Sequence, residues 1–73
     1  MIETVYVIER NGKYLDKLFT DNVNEMFNKT ESQLKKHEVY FYHNQRIACD
    51  VADELGALWV PAFLNGDNIE LKV

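Results

Sequence analysis

The segment TVYVIERNGKYLDKLF, residues 4–19, decides the fold, because it places β-prone residues on both sides of an Asn-Gly pair. Asparagine and glycine tolerate the positive φ angles of a type I′ turn, so this pattern predicts a tight β-hairpin that turns at Asn11 and Gly12. The strand before the turn carries apolar residues on both of its faces, Val7 on one and Ile8 on the other. This predicts a strand that is central in its sheet or covered on both sides.

A second Asn-Gly pair, Asn65-Gly66, separates LWVPAFL from NIELKV and predicts another hairpin near the C-terminal end. The loop NGDN allows a turn longer than two residues. After the turn, Ile69 and Leu71 alternate with charged residues, which predicts a strand with one buried face and one face in water.

Pro61 lies in the middle of the first strand of this second hairpin. Proline has no backbone N–H to donate, so it predicts an edge strand or a bulge at this point. An edge strand with exposed aromatic residues invites a partner. The predicted interface therefore consists of Trp59, Pro61 and Phe63, together with Tyr42, which closes a run of aromatic residues upstream.

The sequence NQRIACDVADELGA, residues 44–57, predicts the main helix. Its apolar stripe consists of Ile47, Val51 and Leu55, with the small residues Ala48 and Ala52 beside it. Asn44 is the predicted N-cap and Gly56 the predicted C-terminal stop. The two alanines would allow the helix to approach a sheet closely.

The middle of the chain gives less regular signals. A threonine that can cap, followed by a favourable Glu–Lys pair four residues apart, predicts a short helix over residues 30–37. DNVNEMFN is either a turn of helix or a loop that buries Val23, Met26 and Phe27, and EVYFYHN reads as a short strand. The overall expectation is one α+β domain over residues 1–73. Two hairpins form an antiparallel sheet of about four strands, with the main helix packed on it and a short helix before it.

Size and composition limit the classes of function. A chain of 73 residues with 47% hydrophobic content forms one small core, so leftover apolar surface and a homodimer are expected. No stretch has the roughly 20 apolar residues needed to span a bilayer, and the first ten residues lack the pattern of a signal peptide. The expected location is cytoplasmic, with no contact with a membrane.

Charge argues against direct binding of nucleic acid. Eight basic residues against twelve acidic ones give a net charge of −4. The only adjacent basic pair is Lys35-Lys36, without the basic surface that neutralises phosphates. The acidic balance leaves open a protein that mimics nucleic acid towards a nucleic-acid-binding partner.

The stretch HEVYFYHNQRIACD, residues 37–50, holds both histidines and the one cysteine. His43 and Cys49 are the ingredients of a nucleophile pair, but Cys49 falls more than a turn inside the predicted helix, where the helix N-terminus helps little to activate a thiol. His37 and His43, six residues apart, do not have the spacing of a zinc site. We therefore expect no enzyme activity, no metal and no cofactor. A small-ligand or metal site in this stretch is the third alternative.

The order of the pieces NGKYL, FT and IACDVADELGALWV resembles tiny phage and prophage proteins of low-GC Gram-positive bacteria. The resemblance covers residues 5–20 and 44–62. It implies a phage context and assigns no functional residue. The expected function is a non-enzymatic interaction module, in that context an accessory protein that binds a host or phage protein. The alternative is an acidic inhibitor that mimics nucleic acid.

Overall fold

The computed structural model describes residues 2–17 and 23–72, which form one antiparallel sheet with a helix packed on it. The strands are β1 (Ile2–Arg10), β2 (Lys13–Leu15), β3 (Phe27–Lys29), β4 (Phe41–Tyr42), β5 (Leu58–Asn65) and β6 (Asn68–Leu71). Their order is β3-β2-β1-β5-β6, and β4 also pairs with β1. The main helix is α2 (Gln45–Leu55), and a single turn, α1 (Val23–Met26), precedes β3. The α+β class is confirmed, but the sheet has six strands where about four were predicted.

The first hairpin forms as predicted. Asn11 has φ 53° and Gly12 has φ 78°, so both turn residues adopt the positive φ that a type I′ turn requires. Arg10 pairs with Lys13 across the turn. The local chemistry of the Asn-Gly pair therefore fixes the start of the sheet.

The second hairpin also forms, but its turn lies one residue later than the Asn-Gly pair. Asn65 pairs with Asn68, so the turn consists of Gly66 and Asp67. Gly66 has φ 62° and Asp67 does not have a positive φ, which is the pattern of a type II′ turn with glycine in first place. Asn65 is the last residue of β5.

Strand β1 is central in the sheet and covered on both faces, as predicted. It pairs with β5 from Ile2 to Glu9 and with β2 and β4 on its other side. Val5 and Val7 belong to a core on one face, here called the inner core, and Ile8 belongs to a core on the opposite face, the outer core. All three side chains are fully buried.

The inner core is enclosed because residues 34–40 connect β6, at one end of the sheet, to β2, which lies next to the other end. The amide of Ile69 donates to the carbonyl of Leu34 at 3.0 Å, and the amide of Tyr40 donates to the carbonyl of Leu15 at 3.1 Å. The buried members of the inner core are Val5, Val7, Tyr14, Leu34, Val39, Ala62, Leu64 and Ile69. No pairing rule in the sequence indicates this closure.

Helix α2 covers the outer core. Its two alanines face the sheet, with Ala48 0% and Ala52 1% exposed, whereas Ile47 is 50% exposed. The predicted stripe is thus displaced: Val51 and Leu55 flank the contact, and the alanines form its centre. Small side chains allow the helix backbone to lie close to the strands, which leaves Ile47 beyond the contact.

The segment before β4 is less helical than predicted. Only Glu31–Gln33 forms a 3-10 turn, and the amide of Thr30 donates to the Gln33 side chain at 3.0 Å, as a capping box requires. The predicted helix over residues 30–37 ends early because Lys35 bridges to Asn68, the first residue of β6. Upstream, the turn of helix forms as α1, and Met26 and Phe27 are buried, while the side chain of Val23 lies outside the described part.

Candidate interaction surface

Strand β5 is not an edge strand, and that part of the prediction is wrong. It lies between β1 and β6. The last pair in the ladder with β6 joins Ala62 and Leu71, and beyond it the carbonyl of Pro61 accepts from the amide of Lys72 at 3.2 Å. The carbonyl of Pro61 thus points towards β6, but Pro61 has no backbone N–H that could donate a second hydrogen bond to Lys72. The missing donor falls where the β6 ladder ends, so it does not require an outer edge.

The sheet nevertheless brings all four predicted interface residues to one face. Tyr42, Tyr6 and Pro61 lie side by side across β4, β1 and β5. Trp59 and Phe63 are two residues before and after Pro61, so they point to the same side of β5. This is the face that carries the outer core, and we call it the outer face.

Two of the four residues serve the core. The Trp59 ring meets the Tyr6 ring edge to face, with centroids 5.6 Å apart, and it packs against the outer core under α2. Tyr42 packs there as well. Its burial, together with the nearby Tyr40, raises the pKa of the Tyr42 hydroxyl above its usual range. The exposure predicted for these two aromatic residues is therefore wrong, since both are half-buried.

Phe63 is the exposed member of the set, with 37% of its surface accessible. The ammonium of Lys72 lies 4.6 Å from the centre of its ring and 3.5 Å from the hydroxyl of Thr4, which is opposite Phe63 in the ladder. Ile2, on the same face of β1, is 61% exposed. These residues form the outer patch, defined as Ile2, Thr4, Pro61, Phe63 and Lys72.

Sequence reasoning missed three members of the outer patch: Ile2, Thr4 and Lys72. The alternation along β1 already placed the first two on one face, but their position beside Phe63 depends on the register between β1 and β5. In that register Thr4 faces Phe63, a residue more than 50 positions later in the chain. A single sequence carries no direct signal for such a pairing.

The histidine and cysteine stretch does not assemble into a reactive cluster. The Nε2 atom of His43 lies 3.5 Å from a carboxylate oxygen of Glu3, and both side chains are exposed. His37 is exposed, and Cys49 is a half-buried free thiol in α2. Across residues 2–17 and 23–72 there is no group of three or more His, Cys, Asp and Glu side chains that could hold a metal ion.

A shallow pocket lies at the tip of the first hairpin. It has a volume of about 210 Å³ and is lined by Arg10, Asn11, Lys13 and Phe27. Binding sites that enclose a drug-sized molecule start at about 300 Å³. This pocket is therefore smaller than a site that encloses a drug-sized molecule.

Within the described part of the chain, no helix is both long enough and apolar enough to cross a membrane. Comparisons with protein-family models, with curated proteins and with solved structures find no match to this chain. The exposed residues of the molecule itself are the basis for a functional proposal.

Proposed function

We propose that this chain is a non-enzymatic protein-interaction module that binds a partner protein through the outer patch. The observation that carries the proposal is the exposed aromatic ring of Phe63, which lies on the same sheet face as Ile2 and beneath the ammonium of Lys72. Aromatic residues are enriched at the centres of protein interfaces, and charged residues at the rim contribute to specificity.

The Phe63 ring is also held in place before a partner arrives. Thr4 lies opposite it in the ladder, and the Lys72 ammonium lies over it. A cation over an exposed ring stabilises the pair by about 0.5–1 kcal/mol. Binding orders fewer side-chain rotamers when the anchor is already positioned, so less of the interaction energy is lost to entropy.

The proposed biological context follows from the resemblance to phage and prophage proteins. In that context the partner is a host or phage protein, and the chain acts as an accessory factor. A homodimer through the same patch is the competing arrangement. Sedimentation velocity of the purified chain distinguishes the two, because a dimer through Phe63 would hide the patch from other proteins and would dissociate on Phe63→Asp.

Affinity capture tests the proposal. The tagged chain is immobilised, exposed to a lysate of the source organism at low and at high salt, and the retained proteins are identified by mass spectrometry. Charges on the surface are screened beyond about 10 Å at 0.1 M salt, whereas apolar contacts are not. One stoichiometric partner that stays bound at high salt supports binding through the outer patch.

The alternative function is an acidic inhibitor of a nucleic-acid-binding protein. The observation that favours it is the solvent side of α2, where Asp50, Asp53 and Glu54 are all exposed. In this case the same experiment would release the partner at high salt, and DNA would compete with the chain for it. A well-folded bait that captures nothing at either salt concentration would contradict both functions.

A further inference from the structure

Among residues 2–17 and 23–72, no strand pairs with one edge of the N-terminal part of β1. The carbonyl of Pro61 points towards β6, so the backbone groups of β5 that point towards β1 are those of Val60, Ala62 and Leu64. Their partners in β1 are the odd-numbered residues, among them Glu3. The N–H and C=O groups of the even-numbered residues of β1 must therefore point the other way.

On that other side, β1 is only partly covered. Tyr6 faces Tyr42 of β4, and β4 ends there, at the bend that leads into α2. The backbone groups of Ile2 and Thr4 have no partner strand within the described part of the chain. Ile2, Glu3 and Thr4 are all exposed. We call residues 2–4 the open edge.

We propose that the open edge accepts an extended segment of a partner protein as an added antiparallel strand, with a basic residue opposite Glu3. This inference rests on the proposed function, since it specifies how the interaction module holds its partner. The outward N–H and C=O groups of Ile2 and Thr4 supply the hydrogen bonds of the added strand, as in other proteins that bind peptides by extending a sheet. The open edge adjoins the outer patch, because Ile2 and Thr4 belong to both.

Charge argues for a different protein as the occupant and against a second copy of this chain. In an antiparallel pair of two open edges, Ile2 pairs with Thr4 of the other copy, and the two Glu3 carboxylates face each other. Like charges directly opposite in a sheet are destabilising. In a shifted register, Thr4 of one copy would face Thr4 of the other. Ile2 of one copy would then lie opposite Tyr6 of the other, and the backbone of that Tyr6 already pairs with Tyr42 of its own copy. Both registers therefore disfavour self-pairing.

The geometry also specifies the pattern of the incoming segment. Its residue opposite Glu3 points to the same side as Glu3, where a lysine or arginine forms an ion pair with the exposed carboxylate, which also lies 3.5 Å from Nε2 of His43. The two residues beside it point to the outer face, next to Ile2, which is 61% exposed. An apolar–basic–apolar triplet in extended conformation is the sequence class that fits.

Two capped pentapeptides test this inference, Thr-Val-Lys-Val-Thr and its match with glutamate in place of lysine. Each is titrated to millimolar concentration into the ¹⁵N-labelled chain, and amide chemical shifts are followed by NMR. We expect shifts centred on residues 2–4 and binding of the lysine peptide about fivefold tighter than the glutamate peptide. In the variant Glu3→Gln, the preference for the lysine peptide over the glutamate peptide should fall to about twofold or less. If the preference came from the overall negative charge of the chain, it would persist in this variant.

Thr4→Pro tests the hydrogen bonds of the open edge. The Thr4 N–H points away from β5, so proline removes one outward donor and leaves the β1–β5 ladder complete. We expect at least about a fivefold loss of peptide binding, from removal of one hydrogen bond. A lysine peptide with both valine amide nitrogens methylated provides the same test without changing the protein, because these N–H groups face Ile2 and Thr4, and it should not bind.

The inference would be overturned by equal affinity for the lysine and glutamate peptides, or by chemical shift changes away from residues 2–4. It would also be overturned if Thr4→Pro bound the lysine peptide as the wild type does, or if the methylated peptide bound as the unmethylated one does. The proposed function has a separate criterion. If the peptides fail while Phe63→Asp still abolishes partner capture, the interaction module stands and the added strand is wrong. If the peptides bind as expected while Phe63→Asp leaves partner capture unchanged, the outer patch is wrong and the open edge stands.

Discussion

The ammonium of Lys72 lies 4.6 Å from the centre of the Phe63 ring, so the residue that follows β6 covers part of the one aromatic side chain of the predicted set that remains exposed. The same ammonium lies 3.5 Å from the hydroxyl of Thr4 in β1. Strands β1 and β5 and the residue after β6 thus contribute to a single surface on the outer face.

Replacing Ala52 with leucine should destabilise the protein by about 1–3 kcal/mol, because Ala52 is 1% exposed and the helix lies close to the sheet there. Glu54→Leu is the matched control on the exposed side of α2, and its effect should stay within about 0.5 kcal/mol. Urea unfolding followed by circular dichroism measures both. Equal stability of Ala52→Leu and the wild type would show that α2 does not pack through its alanines.

Gly12→Ala should lower the free energy of unfolding by about 1 kcal/mol, since Gly12 has φ 78° and an L-residue is strained in that region. The space around Gly12 is open, with no atom within 4 Å of an added Cβ, so any loss reflects the backbone. Asn11→Gly keeps a residue that tolerates positive φ and should change stability less than Gly12→Ala does. The reverse ranking in urea unfolding would contradict a type I′ turn.

Asn44→Ala should cost about 1 kcal/mol of stability by removing the N-cap of α2. The Asn44 side-chain oxygen accepts from the amide of Arg46 at 2.9 Å and from that of Ile47 at 3.3 Å. Asn44→Asp retains an acceptor and should preserve most of the stability. Thermal unfolding of the three proteins at one pH provides the comparison, and an alanine variant as stable as the aspartate variant would exclude a capping role.

Two tyrosines should make the protein less stable at alkaline pH. Burial raises the pKa of Tyr14, helped by the carboxylates of Glu9 and Glu31, and burial also raises the pKa of Tyr42. The unfolded chain therefore loses these protons first, at its ordinary pKa of about 10. Stability should be intact below that pH and fall as pH rises from there through the folded pKa values.

Urea unfolding between neutral and strongly alkaline pH measures this loss. The double variant Tyr14→Phe and Tyr42→Phe should show a shallower decline above pH ~10, because it lacks the two shifted groups. Its stability at neutral pH serves as the internal reference. An identical alkaline decline in the wild type and the double variant would rule out these residues as the cause.

The features that could be predicted from sequence are those fixed by local chemistry. Asn11 and Gly12 specify a turn by their own φ preferences, and Asn44 and Gly56 specify where α2 begins and ends. The two faces of β1 follow from simple alternation. None of these needs information about distant parts of the chain.

Other features depend on contacts between distant residues. The closure of the sheet by residues 34–40 and the internal position of β5 are set by pairings that no local pattern encodes. The same holds for the candidate surface. Alternation along the strand places Trp59 and Phe63 on one face. The position at which α2 packs on that face decides that Trp59 is half-buried and Phe63 is exposed.

Binding of the captured partner to three proteins tests the central claim most directly: the wild type, Phe63→Asp and Leu58→Asp. Leu58 is 67% exposed and lies on the opposite face of β5, so its variant carries the same change in charge and apolar surface away from the outer patch. The proposed function predicts that Phe63→Asp loses at least about tenfold in affinity, as at an interface hot spot, while Leu58→Asp binds like the wild type. Equal affinity of Phe63→Asp and the wild type, with both variants folded, would contradict binding through the outer patch.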